Sequence, residues 1–488
     1  MTSNFFSKPT QASRKTKIIA TVGPASRSQE RVTQLIHAGV NLFRLNFSHG
    51  SHTEHSEVLA TIRVTSDALG MPVGILQDLS GPKIRISLIE GDFAPILDDN
   101  LIELRFSDGS KSSSTCIYVE GVNPVKSLRP GHQVLLNDGV IALEAQEVRN
   151  DHVVCRIVKG GRIRSRVGIA FPDSNVDLPA TTDKDLRDLD WGIEHDVDYV
   201  AISFVKNAQD VLLLRDVLSS RGKQIGIISK IERKTALDNI FEIIDVSDGL
   251  MVARGDLGLE LPLEQLPMLQ KRLIEQANYR GIPVIVATQM LQSMVTSIRP
   301  TRAEVSDIAT AVMSGTDALM LSEETTIGEH PVACVEYLGK IAREAEQSFA
   351  FEEYKLRLRE SDRATVPDAV AYAACAAAVK VSASAIVACT QTGNTARLVA
   401  KYRPQQPLYG ASSSPATLRR MCLYWGVHPL LCIASSNHED ELISALSAVQ
   451  QRERLADGSR AVITGGVSVG TPGATNVMEI RELRGITG

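Results

Sequence analysis

The sequence has no long apolar run and no strong excess of one charge. Its longest apolar region, residues 369–390, is rich in alanine and serine and is interrupted by Lys380, so it predicts a packed helix followed by a strand rather than a membrane span. The net charge of -5 gives no general attraction to nucleic acid or to anionic lipid. We therefore expect no nucleic-acid partner and no membrane partner, and small anions bound by local basic clusters.

Paired cysteines and a secretory signal are also missing. The 488 residues include seven cysteines, none spaced as a zinc-binding or redox pair, which favours a reducing cytosol. Residues 1–17 contain no unbroken apolar run, so residues 1–13 are expected to form a short flexible leader and the location is predicted to be cytoplasmic. With 43% hydrophobic and 22% charged residues, the chain is long enough for two or three domains with substantial cores.

What the chain does have is a repeated alternation of short apolar runs with helical patterns. Eight runs are candidate strands, and they cover residues 17–23, 41–48, 73–79, 199–205, 224–231, 249–254, 283–288 and 318–323. The helical pattern over residues 263–281 ends in Gly281, a typical C-cap residue. Eight alternations of strand and helix predict an α/β fold of the (β/α)8 TIM-barrel type.

Two segments depart from this alternation. After Leu79, strand patterns separated by turn signals predict a small β-barrel domain, inserted where it would project from the catalytic end of the large barrel as a lid. After a charged stretch at residues 356–365, interpreted as a linker, five further apolar runs predict a C-terminal α/β domain with a five-stranded sheet. The expected boundaries are 14–79 and 174–350 for the barrel, 80–173 for the lid and 362–488 for the C-terminal domain.

Ionisable side chains stand at the carboxyl ends of the predicted strands, where (β/α)8 barrels keep their chemistry. Lys230 and Glu232 end the fifth strand, and Asp256 follows the sixth. Carboxylates with other oxygen donors suit Mg²⁺ or Mn²⁺, whereas Zn²⁺ would need histidine or cysteine. The strand ends thus predict a divalent metal beside an anionic substrate. Further polar residues at strand ends are Arg44, Asn46, Ser48, Asp78, Arg254, Thr288, Ser322 and Glu324.

Each of these residues, taken alone, also fits a purely structural role. Glu232 or Asp256 could be a helix cap or a salt-bridge partner, and Lys230 could be the ion-pair partner of Glu232. Gly255 and Gly258 flank Asp256 just before a predicted helix, where backbone amides can approach an anion. It is the combination on successive strands that favours a functional site.

Eight segments together resemble one enzyme family. KIIATVGPASRS, FRLNFSHG, LQDLSGPKIR, NVDLPATTDKD, ISKIE, MVARGDLG, ATQMLQSM and RPTRAEVSDIA occur in the order and spacing of the pyruvate kinases, and the resemblance spans almost the whole chain. It implies the same barrel, inserted lid and C-terminal domain. It further implies transfer of the phosphoryl group of phosphoenolpyruvate to ADP, the last step of glycolysis, with Mg²⁺ or Mn²⁺ as cofactor and a homotetramer as the assembly.

The resemblance also implies catalytic roles for matching residues. Arg44 would hold the transferring phosphoryl group, and Lys230 would stabilise its charge in the transition state and that of the enolate left behind. Glu232 and Asp256 would bind Mg²⁺ between the phosphate and the carboxylate or enolate oxygens of the substrate.

Substrate and nucleotide positions follow in the same way. The amides of Gly255 and Asp256, with Thr288, would hold the carboxylate of phosphoenolpyruvate, and Thr288 would lie close to the water chain that protonates the enolate carbon. The nucleotide site would be lined by Asn46, Phe47, Ser48, His49 and Arg85. A lid lysine common in the family is replaced by Val167, so one of Arg162, Arg164 and Arg166 is expected to meet the nucleotide phosphates.

The monovalent-cation site of the family is altered. Many members hold K⁺ with an asparagine, a serine, an aspartate and a backbone carbonyl, and have a glutamate after a Gly-Pro pair. The equivalent positions here are Asn46, Ser48, Asp78 and Leu79, and Lys83 replaces the glutamate. Since a tethered ammonium can supply the missing charge, as in the K⁺-independent branch that this chain resembles, K⁺ is expected not to be required.

The C-terminal domain contains a loop that resembles a hydroxyl-rich effector pocket. Its residues are Thr390, Gln391, Thr392, Gly393, Asn394 and Thr395. Gln391 stands where members activated by fructose 1,6-bisphosphate have lysine, and residues 465–473 lack the tryptophan and arginine that hold a second phosphate. With only neutral donors, a sugar or nucleotide monophosphate is the expected allosteric effector. The alternative is a loop that binds nothing.

Two other functions remain open at the level of sequence. A Mg²⁺-dependent lyase or aldolase acting on pyruvate-like enolates also places glutamate and aspartate on adjacent barrel strands, but it does not need the inserted lid. A pseudoenzyme that senses sugar phosphates would be expected to lack Lys230, Glu232 or Asp256, and all three are present.

Overall fold

The structure is a computed structural model. It describes residues 14–91, 93–174, 176, 178–359, 365–433, 438–466 and 475–483. The predicted leader, residues 1–13, lies outside the described residues.

Eight parallel strands close into the barrel that the sequence predicts. They are Lys17–Thr21, Leu42–Asn46, Gly74–Asp78, Tyr199–Ile202, Gly226–Ile231, Gly249–Ala253, Val284–Ala287 and Ala318–Leu321. Each strand pairs with its neighbour in this order, and Lys17 of the first is in register with Ala318 of the eighth, which closes the ring. The strands are buried and rich in valine, isoleucine and leucine because helices cover their outer faces.

Helices surround the barrel. They are Gln29–Ala38, His52–Leu69, Asp183–Glu194, Ala208–Ser220, Lys234–Asp238, Ile240–Val246, Arg254–Glu260, Leu266–Arg280, Arg302–Ser314, Glu323–Thr326 and Pro331–Gln347, with short 3-10 turns at Leu263–Gln265 and Gln292–Val295. The C-cap predicted at Gly281 is confirmed, with φ 71°. Glycine adopts this left-handed conformation at little cost, and its amide bonds the carbonyls at the end of the helix.

Two helix boundaries differ from the sequence expectations. The helix expected after Asp256 already begins at Arg254, so Gly255 and Asp256 lie in its first turn. The stretch interpreted as a linker is helical as far as Arg359, in a helix that starts at Phe351. Tyr354 and Leu358, four residues apart, bury their side chains in the same apolar cluster as the C-terminal domain. The charged residues of this helix therefore concealed the apolar face formed by Tyr354 and Leu358.

The segment between the third and fourth barrel strands forms the β-rich insert. Its seven-stranded mixed sheet runs in the order Ile169–Ala170, Gln133–Leu136, Ile141–Val148, His152–Lys159, Leu101–Phe106, Cys116–Glu120 and Arg85–Ile86. A bridge between Arg85 and Gly168 joins the two ends of the sheet, which curls into the predicted small barrel. A ribbon of Ala94–Ile96 with Gly161–Ile163 and a helical turn at Pro124–Ser127 complete the insert. It has its own apolar core.

The C-terminal domain contains the predicted five-stranded sheet. The strands are ordered Val427–Leu431, Leu408–Ser412, Ala385–Cys389, Arg460–Gly465 and Val477–Glu482, and only the last is antiparallel to its neighbour. Its helices are Val366–Lys380, Asn394–Lys401, Pro415–Met421 and His438–Glu453. The domain packs against the amino-terminal ends of the barrel strands, where Arg403 donates a buried hydrogen bond of 2.7 Å to Asp317. The carboxyl ends of the strands thus face away from it.

Two further expectations concern the environment of the chain. Across the described residues, no helix combines the length and the hydrophobicity needed to span a bilayer. All seven cysteines are free thiols, and burial raises the pKa of Cys155 and of Cys334 to about 12. These thiols are therefore poor nucleophiles at neutral pH.

Candidate active site

A buried lysine lies at the centre of the carboxyl-end face of the barrel. Nζ of Lys230 is 2.7 Å from Oγ of Ser203, 2.9 Å from Oε1 of Glu232 and 3.2 Å from Oδ1 of Asp78. Burial by itself lowers the pKa of this lysine, but the carboxylates of Asp78 and Glu232 outweigh it and raise the pKa above the ordinary value. Lys230 is therefore a fixed ammonium ion.

Asp78 connects this lysine to an arginine. Its Oδ2 accepts a hydrogen bond of 2.6 Å from Nε of Arg44, and Nη1 of Arg44 also donates to Oγ1 of Thr21 at 3.1 Å. Burial raises the pKa of Asp78, but the charges of Lys230 and Arg44 prevail and hold it below its usual range. Asp78 is thus an ionised carboxylate that holds two cations side by side.

Glu232 and Asp256, the predicted metal ligands, line one cleft between the barrel and the insert. The cleft has a volume of about 60 Å³ and is also lined by Lys83 and Asp138. Oε2 of Glu232 accepts a hydrogen bond of 2.8 Å from the amide of Phe204. Burial raises the pKa of Glu232 and the charge of Asp256 adds to this, while Lys230 opposes it. A cation placed between the two carboxylates would relieve their repulsion.

The donor set fits a metal that is shared with a substrate. Within the described part of the chain, no three His, Cys, Asp or Glu side chains form a cluster that could hold an ion by themselves. Mg²⁺ is commonly held by one or two carboxylates, with water and substrate phosphate oxygens completing its octahedron. Glu232 and Asp256 match that pattern and do not match a closed structural site.

Thr288 approaches the start of the helix that carries Asp256. Its Oγ1 accepts a hydrogen bond of 2.9 Å from the amide of Gly255 and donates to the carbonyl of Ala287 at 2.7 Å. Its φ of 70° is uncommon for a β-branched residue and indicates a backbone held by its surroundings. Arg254 contributes to this, because Nη2 donates to the carbonyl of Thr288 at 2.6 Å while Nη1 pairs with Asp307.

The segment predicted to line the nucleotide site begins at the end of the second strand. Oδ1 of Asn46 accepts a hydrogen bond of 3.2 Å from the amide of Ser48. The ring of Phe47 is buried and stacks on His55 with ring centroids 4.2 Å apart, so the ring belongs to the core. Burial and the charges of Arg85, Arg44 and Lys83 lower the pKa of His49, which is therefore neutral at pH 7.

Two residues that contact this site were missed by the sequence reasoning. Ser203 donates to the carbonyl of Leu79 at 2.8 Å and accepts from Lys230, and its only signal was a hydroxyl directly after the fourth strand. Nζ of Lys184 donates to the carbonyl of Phe47 at 2.8 Å, lies 3.3 Å from Oγ of Ser80 and pairs with Asp188. Its signal was its position within the TTDKD part of a family motif.

Lys83, the predicted substitute for the monovalent cation, lies near two carboxylates. Its ammonium lies 3.6 Å from Oδ1 of Asp256 and 3.9 Å from Oδ1 of Asp138. Asp78, the equivalent of a K⁺ ligand, is instead paired with Arg44 and Lys230. The positive charge of Lys83 is thus directed to the predicted Mg²⁺ site.

The remaining candidates lie farther from this centre. In the C-terminal loop, Oγ1 of Thr390 accepts from the amide of Gly393 at 2.9 Å, and Oγ1 of Thr395 bonds Oγ1 of Thr475 at 2.7 Å. Most of the loop at 465–473 lies outside the described residues. In the insert, the guanidinium of Arg162 stacks over the ring of Phe93, 4.4 Å from its centroid.

Comparison with known proteins identifies the family. The family model described as pyruvate kinase, barrel domain, matches residues 13–335, and that described as pyruvate kinase, alpha/beta domain, matches residues 368–481. Pyruvate kinase 2 of Synechocystis sp. is 41% identical over 483 residues, which cover 97% of this chain and 80% of the relative. The pyruvate kinase of Clostridium acetobutylicum is 38% identical over 479 residues, covering 96% of this chain and 99% of the relative. These matches, together with a site built from strand-end cations and carboxylates, show that the chain belongs to the pyruvate kinase family of phosphotransferases.

Proposed function

We propose that this chain transfers the phosphoryl group of phosphoenolpyruvate to ADP, giving pyruvate and ATP. The observation that carries the proposal is the pair of cations on Asp78, whose two oxygens hold the guanidinium of Arg44 and the ammonium of Lys230. Phosphoryl transfer requires that negative charges be brought together and neutralised, which fixed cations do without reorganising. Membership of the family supplies the reaction class.

The two cations have separate tasks. The side chain of Arg44 is 12% exposed, and it suits a phosphoryl group because a guanidinium matches the oxygen atoms of phosphate. Lys230 remains protonated because its pKa is raised, so it acts as a charge that stabilises the enolate oxygen and not as a base. Thr288 and the amides of Gly255 and Asp256 would orient the substrate carboxylate.

Mg²⁺ is the proposed cofactor, with Mn²⁺ as a substitute, held by Glu232 and Asp256. When bound, it would supply positive charge that offsets the negative charge of the substrate. Glu232 is prepared for this, because the amide of Phe204 and the ammonium of Lys230 fix its carboxylate in place.

The insert, expected to span residues 80–173, is the proposed lid over the nucleotide. ADP would lie between the insert and the segment Asn46 to His49, with Arg85 on the insert side. Nη1 of Arg85 donates a hydrogen bond of 2.9 Å to the carbonyl of Arg166. A neutral His49 among basic residues leaves their charge available to phosphate. One of Arg162, Arg164 and Arg166 would complete the contact.

K⁺ is proposed not to be required. The support is electrostatic: Asp78 already has two cationic partners, and the ammonium of Lys83 adds a third positive charge beside Asp256. These tethered charges would replace the monovalent ion.

Regulation, assembly and location are proposed from family membership. A phosphorylated metabolite with one phosphate group would activate the enzyme, and the assembly would be a homotetramer. Free thiols throughout and a net charge of -5 support a cytoplasmic enzyme that acts on small molecules.

The test is ADP-dependent formation of pyruvate from phosphoenolpyruvate by the purified full-length chain with Mg²⁺. Turnover that falls strongly in Arg44→Gln and persists in the exposed-helix control Arg31→Gln supports the proposal. Conversion of a pyruvate-like enolate substrate without ADP would support the lyase instead. Binding of sugar phosphates with no turnover of either kind would support the pseudoenzyme.

A further inference from the structure

The helix Asp183–Glu194, the first helix of the barrel after the insert, contacts two other segments of the chain through its first turn. Nζ of Lys184 donates a hydrogen bond of 2.8 Å to the carbonyl of Phe47, inside the segment predicted to line the nucleotide site. Oδ1 of Asp185 accepts a hydrogen bond of 3.1 Å from the amide of Gly81, where the chain enters the insert. This turn therefore holds the predicted nucleotide segment and the start of the insert together.

The position of Lys184 is unfavourable for the helix that carries it. The amino-terminal turn of a helix has a partial positive charge, so a cation there lowers the stability of the helix. The carboxylate partner of Lys184 is Asp188, one turn later and 2.5 Å away, and a lysine that precedes its acidic partner is the weaker order for such a pair. Contacts outside the helix, to the carbonyl of Phe47 and to Oγ of Ser80 at 3.3 Å, explain a cation at this place.

Asp188 is a buried carboxylate, and both of its oxygens have partners. Oδ2 pairs with Lys184, Oδ1 lies 2.8 Å from Nε2 of His52, and the side chain is 5% exposed. Burial of a carboxylate is costly unless its partners compensate, which favours this one orientation of the group. The carbonyl of Asp188 also accepts a hydrogen bond of 2.6 Å from Nε2 of Gln77 in the third barrel strand. Asp188 is thus fixed, whereas the side chain of Lys184 is 52% exposed and needs a partner to hold it.

The same helix also holds the ring of Phe47. The centroid of this ring lies 5.0 Å from that of Trp191, whose Nε1 donates to Oγ of Ser56 at 2.9 Å. Lys184 and Trp191 are about two turns apart, so they lie on the same face of the helix. Because Lys184 contacts the carbonyl of Phe47 and Trp191 contacts its ring, the helix determines the path of the backbone around Phe47.

We propose that Asp188 is a positioning residue for ADP, which orients the ammonium of Lys184 and, through it, the segment Asn46 to His49. The inference rests on the proposed function, because it assumes that this segment lines the nucleotide site. Asp188 is buried and both of its oxygens are engaged, so it acts through Lys184 and does not touch the nucleotide.

The positioning role concerns one substrate and not the other. The cations proposed to meet the phosphoryl group and the enolate, Arg44 and Lys230, are held by Asp78. Asp78 ends the third barrel strand, whereas Asp188 lies on a helix outside the barrel. Loss of the Asp188 charge should therefore weaken the binding of ADP and spare that of phosphoenolpyruvate. A residue that only stabilised the fold would affect both substrates alike.

The test is isothermal titration of the full-length protein with ADP and, separately, with phosphoenolpyruvate, each in the presence of Mg²⁺. Asp188→Asn keeps the size of the side chain and removes its charge. We expect it to bind ADP at least about fivefold more weakly, since a misplaced binding segment loses affinity steeply. Its affinity for phosphoenolpyruvate should change by less than about twofold, because effects at separate sites are independent. Asp190→Asn, on the same helix but paired with Arg221, is the matched control and should bind both ligands unchanged.

A second variant separates the orientation of Lys184 from a general loss of stability. Lys184→Gln should weaken the binding of ADP, and Asp188→Asn added to it should weaken binding no further, because residues that act as one unit are not additive. The thermal midpoint of each protein shows whether it folds. Since the side chain of Lys184 is exposed, Lys184→Gln should fold even if Asp188→Asn does not, and an unchanged ADP affinity in Lys184→Gln would then overturn the proposal.

Three further results would also overturn it. They are an unchanged ADP affinity in Asp188→Asn, an equal loss of affinity for ADP and for phosphoenolpyruvate, and effects of the two substitutions that multiply in the double variant. Pyruvate formation by the unmodified protein tests the proposed function separately. Turnover together with any of these results overturns only the positioning role, whereas ADP binding that depends on Asp188 without turnover overturns only the proposed activity.

Discussion

The ammonium nitrogen of Lys83 lies 3.6 Å from Oδ1 of Asp256, at the junction of the insert and the barrel. Their side chains are 33% and 29% exposed, so solvent screens the pair and a stronger ligand can displace either partner. The pair joins the residue proposed to replace K⁺ to a residue proposed to bind Mg²⁺. The charge of Lys83 is therefore expected to affect how strongly Asp256 binds a divalent metal ion.

Removal of the Lys83 charge should strengthen metal binding in the absence of substrate. Lys83→Gln takes away a positive charge that repels a metal ion on Asp256, and we expect Mn²⁺ to bind about two- to fivefold more tightly. Electron paramagnetic resonance titration of free Mn²⁺ measures this. Lys111→Gln, an exposed lysine elsewhere on the insert, is the control and should bind Mn²⁺ unchanged. Equal affinity in all three proteins would show that Lys83 does not influence the metal site.

Reversal of the same charge should create a requirement for K⁺. In a buffer that lacks K⁺ and Na⁺, the unmodified enzyme is expected to retain its full rate, while Lys83→Glu should lose activity and recover it on addition of KCl. The reason is that a glutamate removes the tethered cation and offers an oxygen ligand to a free one. A rate of the unmodified enzyme that collapses without K⁺ and returns with KCl would contradict K⁺ independence.

Loss of the ammonium of Lys230 should lower kcat far more than it weakens the binding of substrate. Lys230→Gln removes the cation between Asp78 and Glu232, and we expect kcat to fall at least about 10²-fold, since a fixed charge on a developing enolate is worth this much or more. Steady-state kinetics at saturating phosphoenolpyruvate measure the change. Lys340→Gln, which removes a surface charge lying 4.0 Å from Glu336 and over the ring of Tyr337, should leave kcat unchanged. Comparable rates in the two variants would argue against a catalytic Lys230.

Asp78 should stabilise the fold at neutral pH, and this contribution should decrease in acid. Its pKa in the folded protein lies below the ordinary value of 3.8, so its ionised form stabilises the fold at neutral pH, and this contribution is lost as the pH falls through the lowered pKa. At pH 7, Asp78→Asn should lower the free energy of unfolding by about 3 kcal/mol, because two buried cations lose a partner.

Urea unfolding from pH 7 down to pH 3 measures this dependence. The difference between Asp78→Asn and the unmodified protein should shrink as the pH falls below 3.8. Asp67→Asn, an exposed carboxylate on the helix His52–Leu69, serves as the control and should show little difference at any pH. A difference that stays constant with pH would mean that Asp78 stabilises the protein by packing and not by charge.

The hydroxyl of Thr288 should be needed for turnover, and its methyl group should not. Thr288→Val keeps the size and the β-branch, so the backbone at φ 70° is equally strained, but it loses the hydrogen bonds to Gly255 and Ala287. We expect kcat to fall at least about tenfold in Thr288→Val and to stay near the original value in Thr288→Ser. Pyruvate formation at saturating substrates tests this, and a valine variant as active as the serine variant would contradict it.

The barrel was predictable from the sequence because its strands are short and apolar and helical patterns lie between most of them. The pattern repeats eight times in the barrel, which leaves few alternative folds. The helix from Phe351 to Arg359 was not predictable, because its charged residues conceal Tyr354 and Leu358, whose partners belong to the C-terminal domain. Burial against a distant segment cannot be deduced from local composition.

The candidate site was also only partly predictable from the sequence. Lys230, Glu232 and Asp256 could be named as candidates from the sequence, because strand ends place them on one face whatever their exact contacts. The pairing of Asp78 with Arg44, the contact of Ser203 with Lys230 and the direction of Lys83 toward Asp256 could not. These depend on side-chain distances of a few ångströms between segments far apart in the chain.

The sequence by itself determined the fold and the family and indicated the candidate site residues, because hydrophobic periodicity and motif order are properties of the chain. The tertiary structure alone decided which charges neutralise one another. Asp78 is satisfied by Arg44 and Lys230, and Asp188 by Lys184 and His52. The interaction energy of two charges falls with the distance between them and rises with their burial. Both the distance and the burial are set only when the domains pack.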